Sequence, residues 1–326
     1  SGSTGRAKGI MCAHKNIIFA TKSIMNSLNF KKEKIGLFLP VSFDYGLYQF
    51  YLSIESNSSI HIGKPSDVGP RFLNIIKSEN ITVLPLVTNH LKVLLILLKK
   101  KTSCGIKIIT NTGSEIPIFL IKRFIKIQKN CKVFLMYGLS ECKRVSILNH
   151  KKFLQKNNTV GKPIKGTKCW IVDKKDKKLG YNKFGQLVVR GNHVMQGYYN
   201  DKTLTNKTFK KDKNNNILYT GDICSIDKDG YITFKGRNDD IFKYKNYRLS
   251  KKEIQQDLLK IRGIEDSFVY VKKKPFVYNI YVVTKFKYNN LINKIKNSLD
   301  SYKFSENIIK LKKIERSTRG KVIIKR

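Results

Sequence analysis

Residues 106–141 read IKIITNTGSEIPIFLIKRFIKIQKNCKVFLMYGLSE. Two short, mostly apolar runs, 106–109 and 131–136, flank a segment, 117–128, whose apolar residues recur at helical spacing. That order is the signature of two parallel strands joined by a crossover helix. Each run ends in small or polar residues: Thr110-Asn111-Thr112-Gly113-Ser114 after the first, Tyr137-Gly138-Leu139-Ser140-Glu141 after the second. In open parallel sheets ligands sit beyond the carboxyl ends of the strands. These two loops are therefore the first candidates for a site.

The alternation continues toward the amino terminus. Helices are expected over 14–29, 71–79 and 90–99, and strands over 36–40 and 81–85, the latter stopped by Pro85. Residues 50–62 show no clear period. The segment 41–45 is a third loop at the same edge. The expectation is an α/β domain around a parallel sheet. After Gly161 the character changes to strands over 168–173, 186–190 and 231–235, with turns at Gly180, Gly185, Gly191 and Gly230, which suggests a smaller β-rich subdomain. From Gly236 it changes again: helices over 251–261 and 290–302, strands over 267–272 and 279–285. That reads as a compact α+β C-terminal domain. A chain of 326 residues fits two domains at ~150 residues each.

Composition sets further bounds. An apolar fraction of 41% is enough for a real core. The six cysteines include no C-x-x-C pair, so neither a zinc site nor a disulfide framework is indicated. The five histidines, His14, His61, His90, His150 and His193, are scattered and offer no metal or triad pattern. No apolar run approaches the ~20 residues of a spanning helix. No membrane span is expected, and reduced thiols make a cytoplasmic location the default. The net charge of +42 raises nucleic-acid binding as a second function class. Only 11 of the 65 basic residues are arginine, however, and the charge is spread along a chain rich in Asn and Ile. A dedicated nucleic-acid binder clusters its charge and uses arginine forks, so drift in composition is the preferred reading and no nucleic-acid partner is expected.

The chain opens with Ser1-Gly2-Ser3-Thr4-Gly5-Arg6-Ala7-Lys8-Gly9. Glycines let a backbone approach an anion, while hydroxyls and a lysine supply donors. A polar linker has the same composition. The P-loop spacing fails, because Lys8 is followed by Gly9 and Ile10. Partners downstream must decide.

Those partners occur in order: Tyr137-Gly138-Leu139-Ser140-Glu141, Phe184-Gly185-Gln186-Leu187, Gly197-Tyr198-Tyr199-Asn200, Tyr219-Thr220-Gly221-Asp222, Gly236-Arg237-Asn238-Asp239 with Lys243, Tyr247-Arg248 and Glu253, and finally Arg319-Gly320-Lys321. With the opening loop, this series resembles the adenylate-forming (AMP-binding) superfamily over essentially the whole chain. That superfamily includes acyl-CoA synthetases, acyl-AMP ligases and the adenylation domains of nonribosomal peptide synthetases. The resemblance implies a large adenylate-forming domain over 1–236 and a small mobile C-terminal domain over 237–326, hinged near Asp239. It also implies that the chain begins inside the large domain, as a fragment of poor activity by itself. The implied reaction joins a carboxylic acid to AMP from ATP, releasing pyrophosphate. The acyl group then passes to a thiol, that of CoA or of the phosphopantetheine arm of an acyl or peptidyl carrier protein.

The same resemblance implies roles. Ser1, Ser3, Thr4 and Lys8 would contact the β- and γ-phosphates. Tyr137 would stack on adenine, and Gly113 would border adenine and substrate. Ser140, in place of the commoner threonine, would offer its hydroxyl to the α-phosphate. Glu141 would hold Mg²⁺, which prefers one or two carboxylates plus phosphate oxygens. Asp222 would accept the ribose hydroxyls, Arg237 would reach ribose or phosphate, and Lys321 would bridge the reacting carboxylate and phosphate. Taken singly, Tyr137 reads equally as a core tyrosine, Asp222 as a turn carboxylate, and Arg237 as a surface arginine. Phe43-Asp44 leaves two substrates open. An aspartate there would bind the ammonium group of an amino acid, but similar runs occur in acyl ligases. Asn246 stands where the family usually has glycine beside the thiol passage, which leads us to expect adenylate formation stronger than thioester formation. A degraded, non-catalytic remnant is a third class, opposed by the retention of Glu141, Asp222, Asp239, Arg237 and Lys321.

Overall fold

The computed structural model describes residues 8–98, 103–113, 115–212, 215–237, 240–244, 247–273, 276–316 and 322. The chain divides into two compact units: residues 1–220 with 225–233 and 318–320, and residues 221–224 with 234–317 and 321–326.

The first unit begins with β1 (Ile10–Met11), α1 (His14–Leu28), β2 (Lys34–Leu37), α2 (Asp44–Glu55), β3 (Ser59–Ile62), α3 (Phe72–Ser78), β4 (Val83–Leu86), α4 (Thr88–Leu97), β5 (Ile108–Asn111), α5 (Ile118–Ile127), β6 (Lys132–Tyr137), β7 (Ser146–Leu148), α6 (His150–Phe153) and β8 (Lys162–Pro163). Strands β2 to β8 form one sheet in the order β3-β2-β4-β5-β6-β7-β8. Pairing is parallel from β3 to β6 and antiparallel from β6 to β8. The expected parallel sheet is thus a mixed one. The antiparallel extension escaped notice because β7 and β8 are too short to show a period.

All four residues of β4 are buried, as a strand covered on both faces requires. On α1, Ala20, Ile24 and Leu28 bury one stripe at four-residue spacing. One core cluster packs α3, α4 and α5 through Phe72, Leu94 and Phe124. Another packs α1 and α2 through Ile24, Tyr45 and Phe134. Pro85 leaves a mark on the sheet. The Thr82 carbonyl accepts from Ile108 N on the β5 side. Val83 and Pro85 therefore turn their main-chain groups toward β2. Pro85 has no N–H to give, and β2 registers with β4 at one pair, Ile35–Val83.

The chain continues through β9 (Lys168–Val172), β10 (Gly185–Arg190), β11 (Gly197–Tyr198), α7 (Lys202–Thr208), β12 (Phe209–Asp212), β13 (Asn215–Ile226) and β14 (Ile232–Arg237). Strands β12-β13-β10-β9 form a second sheet with β14 beside β13. The short β11 pairs antiparallel with β1.

In the second unit the hairpin β15 (Ile241–Tyr244) and β16 (Tyr247–Ser250) leads to α8 (Lys251–Lys260), β17 (Ile264–Lys273), β18 (Phe276–Thr284), α9 (Tyr288–Ser298) and β19 (Asn307–Leu311). Strands β17-β18-β19 form a sheet, antiparallel then parallel. Ile254, Leu258, Leu291 and Ile295 from the two helices meet Ile280 and Val282 of β18 in its core. Among the described residues no helix is long and apolar enough to cross a membrane.

Candidate active site

Three loops leave the carboxyl ends of β2, β5 and β6. Strands β5 and β6 are neighbours in register at Asn111–Leu135, so the Gly113 loop and the Tyr137–Glu141 loop emerge side by side. Gly113 has φ +80°, and a Cβ there would stand 2.8 Å from Phe43 Cζ. Glycine satisfies both the backbone and the ring above it. Phe43 opens α2, so the first loop folds onto the second. Two residues on, Tyr45 Oη and Thr110 Oγ1 lie 2.6 Å apart and join α2 to β5. Tyr45 is wholly buried, and burial holds its phenol above the usual range despite the Thr110 hydrogen bond.

The third loop is the turn between β6 and β7. Tyr137 sits opposite Ser146, and the Tyr137 carbonyl accepts from Val145 N at 2.8 Å. A Cβ on Gly138 would lie 1.6 Å from the Lys143 carbonyl oxygen and 2.9 Å from Arg144 Cα. Backbone cannot swing aside as a side chain can, so only glycine passes this neck. Tyr137, Ser140 and Glu141 are half-buried around it.

Glu141 is held from two sides. Its main-chain carbonyl accepts from Met195 N at 2.9 Å, and its Oε1 accepts from Tyr198 Oη at 2.8 Å. Tyr198 lies on β11, opposite Ile10 of β1, and Lys8 Nζ stands 5.5 Å from the Tyr198 ring centroid. The segment that follows the opening loop is thereby fastened beside Glu141. Asn16 of α1 tightens the same region. Its Nδ2 donates to the Asn192 and Val194 carbonyls at 2.6 and 3.0 Å, while its Oδ1 accepts from Ala13 N. Neither Tyr198 nor Asn16 carries an assigned role from sequence. The Gly197-Tyr198 motif was the available signal.

Glu141 retains an oxygen beyond its bond to Tyr198, a hard donor of the kind Mg²⁺ takes. Among the described residues no three His, Cys, Asp or Glu side chains gather to hold a metal. An ion at Glu141 would complete its shell with water or ligand oxygens.

Asp44 stands in the first turn of α2, where the helix dipole favours a carboxylate. Lys143 Nζ approaches Asp44 Oδ2 at 4.0 Å, both side chains largely buried, and lies 5.6 Å from the Tyr48 ring centroid. The next residue, Arg144, is 4% exposed, with its guanidinium carbon 5.2 Å from the Tyr45 ring centroid. The sequence offered no reason to single out Lys143 or Arg144 among 65 basic residues. His193 is fully buried and stacked on Phe19 at 5.5 Å. Burial pushes its imidazole down to about 4, so the ring is neutral at physiological pH.

In the second unit, Asp222 on β13 is buried and pairs with Arg237 at the end of β14, Nε to Oδ1 3.4 Å. Gly221 before it has φ +72°, with open space where a Cβ would stand. The first unit thus brings together Lys8, Asp44, Gly113, Tyr137, Ser140 and Glu141, and the second brings together Asp222 and Arg237. Ser1, Ser3, Thr4, Asp239, Asn246 and Lys321 lie outside the described residues.

The sequence profile of the AMP-binding enzyme family matches residues 1–199. The chain is similar to Gramicidin S synthase 1 of Brevibacillus brevis, 25% identical over 99% of this chain and 30% of that protein. It is also similar to 4-coumarate--CoA ligase-like 4 of Oryza sativa subsp. japonica, 28% identical over 79% of this chain and 48% of the relative. Against both, the chain spans less than half of the relative's length. Two solved structures share the fold. O-succinylbenzoate Coenzyme A Synthetase from Bacillus subtilis in complex with AMP superposes with a TM-score of 0.83 at 22% identity, over 99% of this chain and 66% of that one. ATP-bound MatB from Rhodopseudomonas palustris gives 0.84 at 21% identity, over 99% and 65%. The family match covers most of the chain and includes the loops that converge at the sheet's edge; the chain belongs to the AMP-binding enzyme family, within the adenylate-forming superfamily that its motifs resemble.

Proposed function

We propose that the protein containing this chain activates a carboxylic acid with ATP and passes the acyl group to a thiol of CoA or of a carrier protein. The observation that carries this reading is the meeting of Phe43-Asp44, Gly113 and the glycine-necked Tyr137–Glu141 turn at one sheet edge, with Lys8 and Glu141 sharing Tyr198. In the first half-reaction a carboxylate oxygen attacks the α-phosphorus and the bond to the bridging oxygen breaks, so pyrophosphate leaves. In the second, a thiolate attacks the acyl carbon and AMP leaves. The protein's part is to hold reactants in line and to stabilise developing charge.

The assignment of roles follows. Tyr137 and Gly113 flank the adenine, Ser140 donates to the α-phosphate, and Asp222 and Arg237 serve the ribose. Ser1, Ser3, Thr4 and Lys8 grip the departing phosphates. Lys321 brings positive charge to the reacting carboxylate. Glu141 would hold Mg²⁺, which would supply charge neutralisation at the phosphates. Residues 237–326 form a small domain that turns about Asp239 between the half-reactions, and Asn246 slows the second.

An acid without an α-ammonium group is the preferred substrate, because Lys143 already meets Asp44. An ammonium group there would have to compete with a cation of the chain itself. Pyrophosphate exchange by the intact protein, with panels of acids and amino acids, tests both points. Exchange with an acid, lowered at least ~100-fold in Glu141→Gln, is expected. Absence of exchange with every acid, together with absence of ATP binding, would reject the reading. An amino-acid signal abolished in Asp44→Ala would reverse the choice of substrate class.

A further inference from the structure

We propose that the acid activated at this site carries a second carboxylate, and that Arg144 receives it. The inference rests on the reading of the site as one that activates carboxylates. Arg144 follows Glu141 by three residues, on the far side of the Gly138 neck. Its side chain is inside the protein, 4% exposed. It donates from Nη1 to the Lys143 carbonyl at 3.3 Å and lies over the Tyr45 ring, while its buried Nε has no hydrogen-bond partner among the described residues. Neither contact neutralises it. Among the described residues no carboxylate comes within 4.0 Å of it.

A buried guanidinium is costly unless paired, and its planar fork matches a carboxylate through two parallel hydrogen bonds. The neighbouring charges do not remove the need. Asp44 is approached by Lys143 and Glu141 is engaged by Tyr198, and neither carboxylate pairs with Arg144. Tyr45 and Tyr48 are held above the usual tyrosine range, chiefly by burial, so they supply no anion at physiological pH. The position therefore has a buried cation without a carboxylate partner among the described residues, a donor to spare and walls of tyrosine. It lies at the sheet edge where the first turn of α2 meets the β6–β7 turn. An acid with two carboxylates can place one for activation and the other on Arg144.

A nucleotide phosphate offers the same oxyanion chemistry, and the experiment separates the two. Binding of succinate, glutarate, adipate and phthalate is measured on the intact protein by calorimetry. Butyrate, pentanoate, hexanoate and benzoate, matched in carbon skeleton, are the comparison. The wild type is expected to bind at least one diacid tenfold or more tighter than its matched monoacid. Arg144→Met should erase that ratio and Arg144→Lys restore part of it. The melting temperature of Arg144→Met should equal or exceed that of the wild type, because an unpaired buried charge has been replaced by an apolar chain. Exchange assays should show the same change of ratio, with the KM for ATP unmoved. A wild type that binds no diacid more tightly than its monoacid would overturn the proposal. So would a preference that survives Arg144→Met, or a loss confined to the KM for ATP. Preferential diacid binding without pyrophosphate exchange would instead sink the adenylation reading and leave the second-carboxylate site standing.

Discussion

Gly138 is the residue on which the geometry of the turn depends most sharply. With a Cβ 1.6 Å from the Lys143 carbonyl, Gly138→Ala must push apart the two sides of the turn that carries Ser140 and Glu141. Displacements of about 1 Å at a reacting centre cost on the order of 100-fold in rate. Exchange is expected to fall by that factor in a folded variant, as checked by circular dichroism. Tyr198→Phe tests a milder fault. It removes the hydroxyl that fixes Glu141 Oε1, and partners of this kind are worth roughly 10- to 100-fold in metal affinity. The half-saturating Mg²⁺ concentration should rise while the KM for the acid stays constant. With His90, which burial also pushes down to about 4, His193 contributes to acid sensitivity. Its folded pKa of about 4 lies below the ordinary value of 6.5, so between those values the unfolded chain binds the extra proton. Its contribution is complete above pH 6.5 and declines as pH falls toward 4, by at most about 1.4 kcal/mol per pH unit. His193→Leu should flatten the fall of melting temperature over that window. Neither ring nitrogen has a partner to lose among the described residues, so the substitution should not destabilise at pH 7.

Among the elements, α8 is tied to the segment after α9 by a compact charge cluster. Lys303, with a side chain 9% exposed, reaches Glu253 and Asp257 of α8 and Asp300, all within 3.0 Å. Burial alone would push its ammonium down, but the three carboxylates more than offset this and hold it above the usual lysine range. Lys303→Met leaves the carboxylates facing one another. Removing the shared cation leaves the three carboxylates in mutual repulsion, so the second unit should unfold at lower urea concentration. An unchanged midpoint would show the cluster to be energetically idle. The elements also show what was legible in the sequence. Strands β5 and β6 announced themselves as short apolar runs ended by small polar residues, and β4 as an apolar run too, although it passes through Pro85 to Leu86 instead of stopping there. Helix α2 did not, because its buried side is built from Tyr45 and Tyr48, aromatics that suit a strand as well as a helix. The loops of the site were found from their places after strands. Arg144 was not, because nothing in a row of letters distinguishes one buried arginine from the others. Nor does it reveal a hydroxyl on Tyr198 reaching a carboxylate 57 positions away.

For the whole molecule, 65 basic residues against 23 acidic ones give a field that opposes compactness. Salt shortens the reach of that field, from about 30 Å at 0.01 M to about 8 Å at 0.15 M. The melting temperature is therefore expected to rise by about 2 °C (about 1 kcal/mol) between those concentrations. A flat or falling curve would mean that local ion pairs outweigh the repulsion. The proline at residue 85 has a reach of its own. By denying β2 a hydrogen-bonding partner at that point, it leaves a seam beside β4, with α2 suspended from one side and the β4–β5–β6 ladder continuous on the other. The Tyr45–Thr110 hydrogen bond and the Phe43 ring over Gly113 reach across that seam, so side chains carry the coupling between the two halves of the site where the main-chain ladder lapses.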